Sequence, residues 1–285
     1  MNKNIFLFLM LMCFPVSLSL GFDFNLDIGK VIDIGKNASK ASKSFSEEER
    51  YYIGRASGAN LLADHQLLNQ KQLQHYVSAI GQTLAMASAR PELYAGYHFI
   101  VLNEPERVNA YAVPSGFIFI TTGLIAKAAN EDELAAVLAH EISHIVLDHP
   151  VNAIKKQYTD ELTKDILSEA SEQFVSEDVR QIANLAGGLD QLSGMLVGYA
   201  AKGYSRSKEK EADLQAIKIL RTAGYDPLYF PKILAKLSAI GTGQSGTHGN
   251  PKERARTVTK KLFSDKALYT VSDREHRFGE TMAKL

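Results

Sequence analysis

A mainly helical fold carrying a small β-sheet, of the α+β class, is what this 285-residue sequence predicts. Three observations predict it. Apolar residues recur at helical spacing from residue 131 to about 240. Two short runs between residues 97 and 121 are dense instead in β-branched and aromatic residues. No Pro/Ser-rich linker divides the chain. Composition agrees: 45% hydrophobic and 22% charged residues suit a packed chain, and exclude a disordered, fibrous or multi-span membrane protein. Lys+Arg and Asp+Glu both number 32, so no net field favours nucleic acid or an acidic membrane surface.

Residues 1–19 read as an export signal. Lys3 supplies a positive start, residues 5–14 an apolar run, and Pro15 with Ser17-Leu18-Ser19 a break and a small-x-small cleavage pattern. The run is too short for a bilayer, which takes about 20 apolar residues. Cys13 raises lipidation, but bulky Met12 stands where such sites take a small residue. An exported, periplasmic protein is therefore expected. Residues 20–45, where Asp27-Ile28-Gly29-Lys30 is echoed by Asp33-Ile34-Gly35-Lys36, form a tether, and 46–285 a single domain. With 1 cysteine in the chain, a disulfide framework or a cysteine-based zinc site is excluded, so histidines and carboxylates must hold any metal.

Each element has its local signal. Ser46 with Glu49 makes a capping box that opens a helix over 47–64. A second amphipathic helix, 71–89, stops before Pro91. Residues 97–102 and 117–121 are strands bounded by Gly, Pro or Asn. Asn130 with Glu133 makes a further capping box, and His149-Pro150 closes the helix over 131–149. Ser205 caps a helix that runs to about Thr222 and ends at Gly224, with Pro227 beyond. The charged segment 151–182 is expected to be a mobile cover, and the glycines from Gly187 to Gly203 mark close helix packing near the site.

The chemistry sits at His140-Glu141-Ile142-Ser143-His144, an H-E-x-x-H pattern on the 131–149 helix. His140 and His144 stack one turn apart and can share a metal about 2.0–2.1 Å from each nitrogen. Ala136, Val137 and Leu147 flank them where a surface helix would carry charge, so the helix is expected to be buried nearly all round. Buried polar rings require partners: either hydrogen bonds within a core or, the better account, zinc. Three protein ligands and a water make a catalytic zinc site. Candidates for the third are Glu209 and Asp213, which share a helix face at i, i+4 in a segment that otherwise reads as a solvated surface. Glu211 points away from that face. His149 is set aside, because with a carboxylate it would close the site, and His65, His75, His98 and His276 stand alone.

These two segments, with Val108-Asn109-Ala110-Tyr111-Ala112-Val113-Pro114-Ser115-Gly116, Thr121-Thr122-Gly123-Leu124 and Glu133-Leu134-Ala135-Ala136-Val137-Leu138, resemble the zinc endopeptidase family of HtpX and the CaaX prenyl endopeptidases. Its soluble, exported bacterial branch, of BepA and LoiP type, is the most similar. The resemblance covers about residues 47–260. It implies a gluzincin-like fold with the sheet over two motif helices and one Zn2+ per chain on His140, His144 and Glu209. It further implies Glu141 as the catalytic acid/base and Asp213 as the residue that orients His140. The activity it implies is endopeptidase cleavage of unfolded or misfolded envelope proteins by a zinc-held water, with outer-membrane assembly machinery as a partner. His248 is either the donor to the oxyanion or a loop histidine: family members often show Thr-His-Pro followed by Arg, and here Gly249-Asn250 separates His248 from Pro251, with Arg254 beyond. The strand 117–121 is expected at the sheet edge, pairing with substrate backbone. A zinc-containing chaperone or assembly factor with little turnover is the competing class. An exopeptidase would require a group for a free chain terminus, and none is identifiable.

Overall fold

The computed structural model of the chain describes residues 45–156, 194, 196–198, 200, 203–240, 248–262 and 272–283. The expected export signal lies outside the described residues, as do the tether except Phe45, the cover beyond residue 156, and Gly187 and Gly188. In chain order the elements are α1 (Glu47–Ala63), α2 (Lys71–Met86), β1 (His98–Leu102), β2 (Ala110–Val113), β3 (Phe117–Thr121), α3 (Thr122–Ile125), α4 (Glu131–Val146), α5 (Arg206–Thr222), α6 (Phe230–Ala239), α7 (Pro251–Leu262) and α8 (Ser272–Met282). The fold is therefore mainly helical with one small sheet, as the sequence predicts.

Local chemistry explains most boundaries. The capping box at α1 forms: Ser46 Oγ accepts from the Glu49 amide at 3.1 Å, and Glu49 Oε2 accepts from the Ser46 amide at 2.7 Å. At α4 only half of the expected box forms. Asn130 Oδ1 accepts from the Glu133 amide at 2.9 Å, but the Glu133 carboxylate reaches past it to the Ala129 amide at 2.8 Å. Helix α4 stops at Val146, short of 149, because Asp148 takes the left-handed conformation at φ 55°. Ser205 occupies the N-cap of α5 without a capping bond; its hydroxyl lies 3.0 Å from that of Ser207.

The sheet order is β1-β3-β2, with β3 parallel to β1 and antiparallel to β2. This corrects the expected role of Phe117–Thr121. It is the central strand, with both backbone edges already paired, so no peptide can join it. β2 was not anticipated as a strand because two of its four residues are alanine, which has little intrinsic preference for a sheet. Pairing with β3 holds it there. Alternate residues of the sheet face two cores. Phe99, Val101, Ala110, Ala112, Ile118 and Ile120 meet the α2 and α4 side, while Ile100, Tyr111, Val113, Phe117 and Phe119 meet Leu61 of α1. Burial of each large side chain contributes roughly 1.5–3 kcal/mol. Gly54 lets α1 lie against the turn between β2 and β3, where an added Cβ would sit 2.0 Å from the Pro114 carbonyl oxygen.

Helix α4 runs through the middle of this packing, buried from Glu131 to Ile145. Its first turn carries three buried acids. Glu131 accepts from Tyr76, Tyr225 and Arg277; Asp132 from the Asp226 amide and Arg274; Glu133 from Lys236. Their charge also suits the positive end of the helix. Loss of the cap should be felt by the whole domain: Asn130→Ala is expected to lower stability in urea unfolding by about 0.5–2 kcal/mol, and an unchanged midpoint and slope would contradict that role.

Candidate metal centre

Helices α4 and α5 cross so that the histidine face of one meets the carboxylate face of the other. His140, His144, Glu209 and Asp213 are all buried there. The Nε2 atoms of His140 and His144 are 3.0 Å apart. Glu209 Oε2 lies 3.2 Å from His140 Nε2, and Glu209 Oε1 lies 3.7 Å from His144 Nε2. His248 joins them from the segment before α7, its Nδ1 at 3.3 Å from His140 Nε2 and 3.4 Å from Glu209 Oε2. One ligand atom from each of His140, His144, Glu209 and His248 lies within 4.8 Å of the other three. Gly203 makes room for this approach, since a Cβ there would fall 2.3 Å from His248 Cα.

These residues fit a cation. At most one hydrogen can lie between two ring nitrogens 3.0 Å apart, so at least one imidazole lone pair is turned into the cluster beside a carboxylate. Glu209 Oε2 and Glu141 Oε2 are buried and meet no hydrogen-bond donor among the described residues. Leaving such atoms unmatched is costly unless a positive ion completes them. An all-nitrogen-and-oxygen donor set of two or three imidazoles and a carboxylate suits a borderline metal such as zinc.

The electrostatics prepare the same chemistry. Burial, reinforced by the neighbouring His140, pushes His144 well below the usual histidine range, which favours the lone-pair form that binds metal. Burial alone would raise the Glu209 carboxyl, but the close approach of the His248 and His140 rings holds it far below the ordinary carboxylate range. Burial likewise opposes a charge on His248, yet the Glu141 and Glu209 carboxylates push it up to about 9.

Behind the cluster, His140 Nδ1 lies 3.1 Å from Asp213 Oδ1. Arg254 Nη2 stands at the same distance, 3.1 Å, from that nitrogen, so a carboxylate and a guanidinium together fix the place of the His140 ring. Arg254 then grips Asp213 with both faces of its fork, Nη2 to Oδ1 at 2.6 Å and Nε to Oδ2 at 3.0 Å, and its Nη1 donates to the His248 carbonyl at 3.1 Å. Burial works to raise Asp213, but Arg254 and His140 outweigh it and lower the carboxyl. The sequence alone assigns Arg254 no role, yet the structure ties it to both Asp213 and His248.

Two other residues stand against the cluster. His149 is buried with its Nδ1 2.8 Å from His144 Nδ1, so it stands behind a cluster member and outside the cluster. Tyr204 places its ring 4.7 Å from that of His144 and donates its amide to Glu209 Oε1 at 2.8 Å. Glu141 faces a cleft of about 50 Å3, whose walls include Asn109 and Ala110 of the β2 side, Leu124, Val137, Phe230 and Leu234.

A family model described as Peptidase family M48 matches residues 71–262. The chain is 28% identical over 264 residues to the beta-barrel assembly-enhancing protease of Yersinia pestis, covering 87% of this chain and 50% of that protein. It is 31% identical over 189 residues to the mitochondrial metalloendopeptidase OMA1 of Arabidopsis thaliana, covering 65% of this chain and 35% of that protein. With the metalloprotease YcaL of Escherichia coli it shares 25% identity over 255 residues, 85% of this chain and 90% of that protein. The chain thus spans half or less of the length of the first two relatives. The family model covers well over half of the chain and takes in every member of the cluster, and the chain belongs to peptidase family M48.

Proposed function

We propose that the chain is a zinc-dependent endopeptidase acting on exported, unfolded or misfolded envelope proteins. The observation that carries this reading is the buried convergence of His140, His144 and Glu209 with Glu141 beside them at an open cleft. His140, His144 and Glu209 would hold the ion. When bound, zinc supplies a Lewis acid and lowers the pKa of a water to about 7.

The remaining work belongs to side chains of this chain. Glu141, buried and with Oε2 unmatched, takes the proton of the attacking water and passes it to the leaving amine. His248, whose Nε2 is 3.6 Å from Glu141 Oε1, donates to the oxyanion. Asp213, clamped by Arg254, keeps the His140 ring in the orientation that presents Nε2. An extended substrate pairs with the outer edge of β2, beside Asn109 and Ala110 in the cleft wall. The outer edge of β1 is already engaged, through Leu67 bridging Leu102 and through Gln74 bonding Phe99 and Val101. Main-chain pairing gives affinity with little sequence preference, which suits clients recognised by their unfolded state.

The similarity to a beta-barrel assembly-enhancing protease supports proteolysis and a link to β-barrel assembly, and the amino-terminal signal pattern supports a periplasmic location. Among the described residues no helix is long and apolar enough to cross a membrane. One observation favours the second reading, a zinc-containing chaperone or assembly factor: with His248 included, four side chains converge, the count of a closed structural site.

Purified protein carrying zinc should cut an unfolded protein internally, and Glu141→Gln, which keeps the shape and loses the base, should abolish the cut; equal cleavage by both would refute the role of Glu141. Metal content separates the two readings further. Dialysed His144→Ala is expected to lose its zinc, while His248→Ala retains about one ion per chain, since three ligands remain. Loss of zinc from His248→Ala would favour the structural site.

A further inference from the structure

We propose that His149, held by Glu211, is the positioning residue for His144: it accepts the Nδ1 hydrogen of that ring and so turns the Nε2 lone pair toward the metal. This rests on the zinc reading above and extends it to two residues outside the ligand set. The two candidate histidine ligands have different supports. His140 leans on a carboxylate, Asp213. Nothing comparable lies behind His144; the atom facing its Nδ1 is another imidazole nitrogen, His149 Nδ1, at 2.8 Å. Only one hydrogen fits between two such nitrogens, and the arrangement works only if one ring donates and the other accepts.

The next contact decides which. His149 Nε2 lies 3.4 Å from Glu211 Oε2, an oxygen that can only accept, so the His149 hydrogen belongs on Nε2 and its Nδ1 carries the lone pair. The hydrogen between the rings is then that of His144, whose Nε2 is left bare among His140 and Glu209. Lys208 Nζ, 2.8 Å from the same Glu211 oxygen, fixes the carboxylate in turn. The result is a chain of directed hydrogen bonds from the metal ligand to the surface of α5.

The backbone is shaped to make this contact. On a continuous helix, a residue five positions after His144 would be turned about 140° away from it. The helix instead breaks after Val146, and Asp148 takes the left-handed conformation, which folds His149 back onto His144. That conformation is uncommon for a residue with a side chain, and Asp148 is held in it from two sides, by Arg50 of α1 and by Arg90 at 2.7 Å. Tyr204 closes over both rings, 4.7 Å from His144 and 5.7 Å from His149.

The test uses the full chain and reads zinc affinity by competition with a chromogenic chelator, beside thermal unfolding of the metal-stripped protein. His149→Leu fills the space without an acceptor and is expected to weaken zinc binding about 10- to 100-fold, with no loss of stability in the stripped protein. His149→Gln, which restores a carbonyl acceptor, should recover most of the affinity, and Glu211→Gln should show a smaller loss than His149→Leu. Zinc affinity in His149→Leu equal to wild type would overturn the proposal. So would a loss of affinity that His149→Gln does not relieve and that tracks a lower melting temperature of the stripped protein. Wild-type protein that binds no zinc would instead remove the reading on which the proposal rests.

Discussion

Four ionisable side chains, His140, His144, Glu209 and Asp213, are buried where two helices cross, and the rest of the structure is arranged around the cost of putting them there. A lone charge or unmatched polar atom in that environment is strongly disfavoured. Each is therefore answered by another group: Asp213 by Arg254, His140 by Asp213, His144 by His149, and Glu209 by the Tyr204 amide on one oxygen. What is left over is Glu209 Oε2 and the ring nitrogens that face it. The unsatisfied remainder has the donor set and spacing of a cation site, and the cation would complete the core as well as the chemistry.

This explains why the motif helix starts as firmly as it does. Glu131, Asp132 and Glu133 are buried acids in a first turn, each tied to a different part of the chain through Tyr76, Tyr225, Arg274, Arg277 or Lys236. Helix α4 is thus pinned at one end by charge and along its length by apolar packing, and His140 to His144 are presented from a rigid support. Rigid placement matters because a metal site tolerates little error in ligand position.

Much of this was legible in the chain. The H-E-x-x-H spacing, the Asn130 cap and the Glu209/Asp213 pair each depend on residues one helical turn apart, and local periodicity reports them directly. What was not legible depends on tertiary placement. Strand order within the sheet is not a local property, so Phe117–Thr121 read as an edge when it is the centre. β2 is short and half alanine, and forms because β3 pairs with it. Arg254 and Asp213 are 41 positions apart, on α7 and α5, and no pattern in the sequence joins them. His149 carried a misleading local signal: an unbroken helix would aim it away from His144, and only the turn at Asp148 brings it back.

The central claim is that one zinc ion sits among His140, His144 and Glu209. X-ray absorption at the zinc edge of the purified protein tests it most directly. The account predicts a low-coordinate shell of nitrogen and oxygen at about 2.0–2.1 Å, with the multiple-scattering signature of at least two imidazoles. Sulfur in the shell, fewer than two imidazoles, or protein that carries no zinc after reconstitution would contradict it.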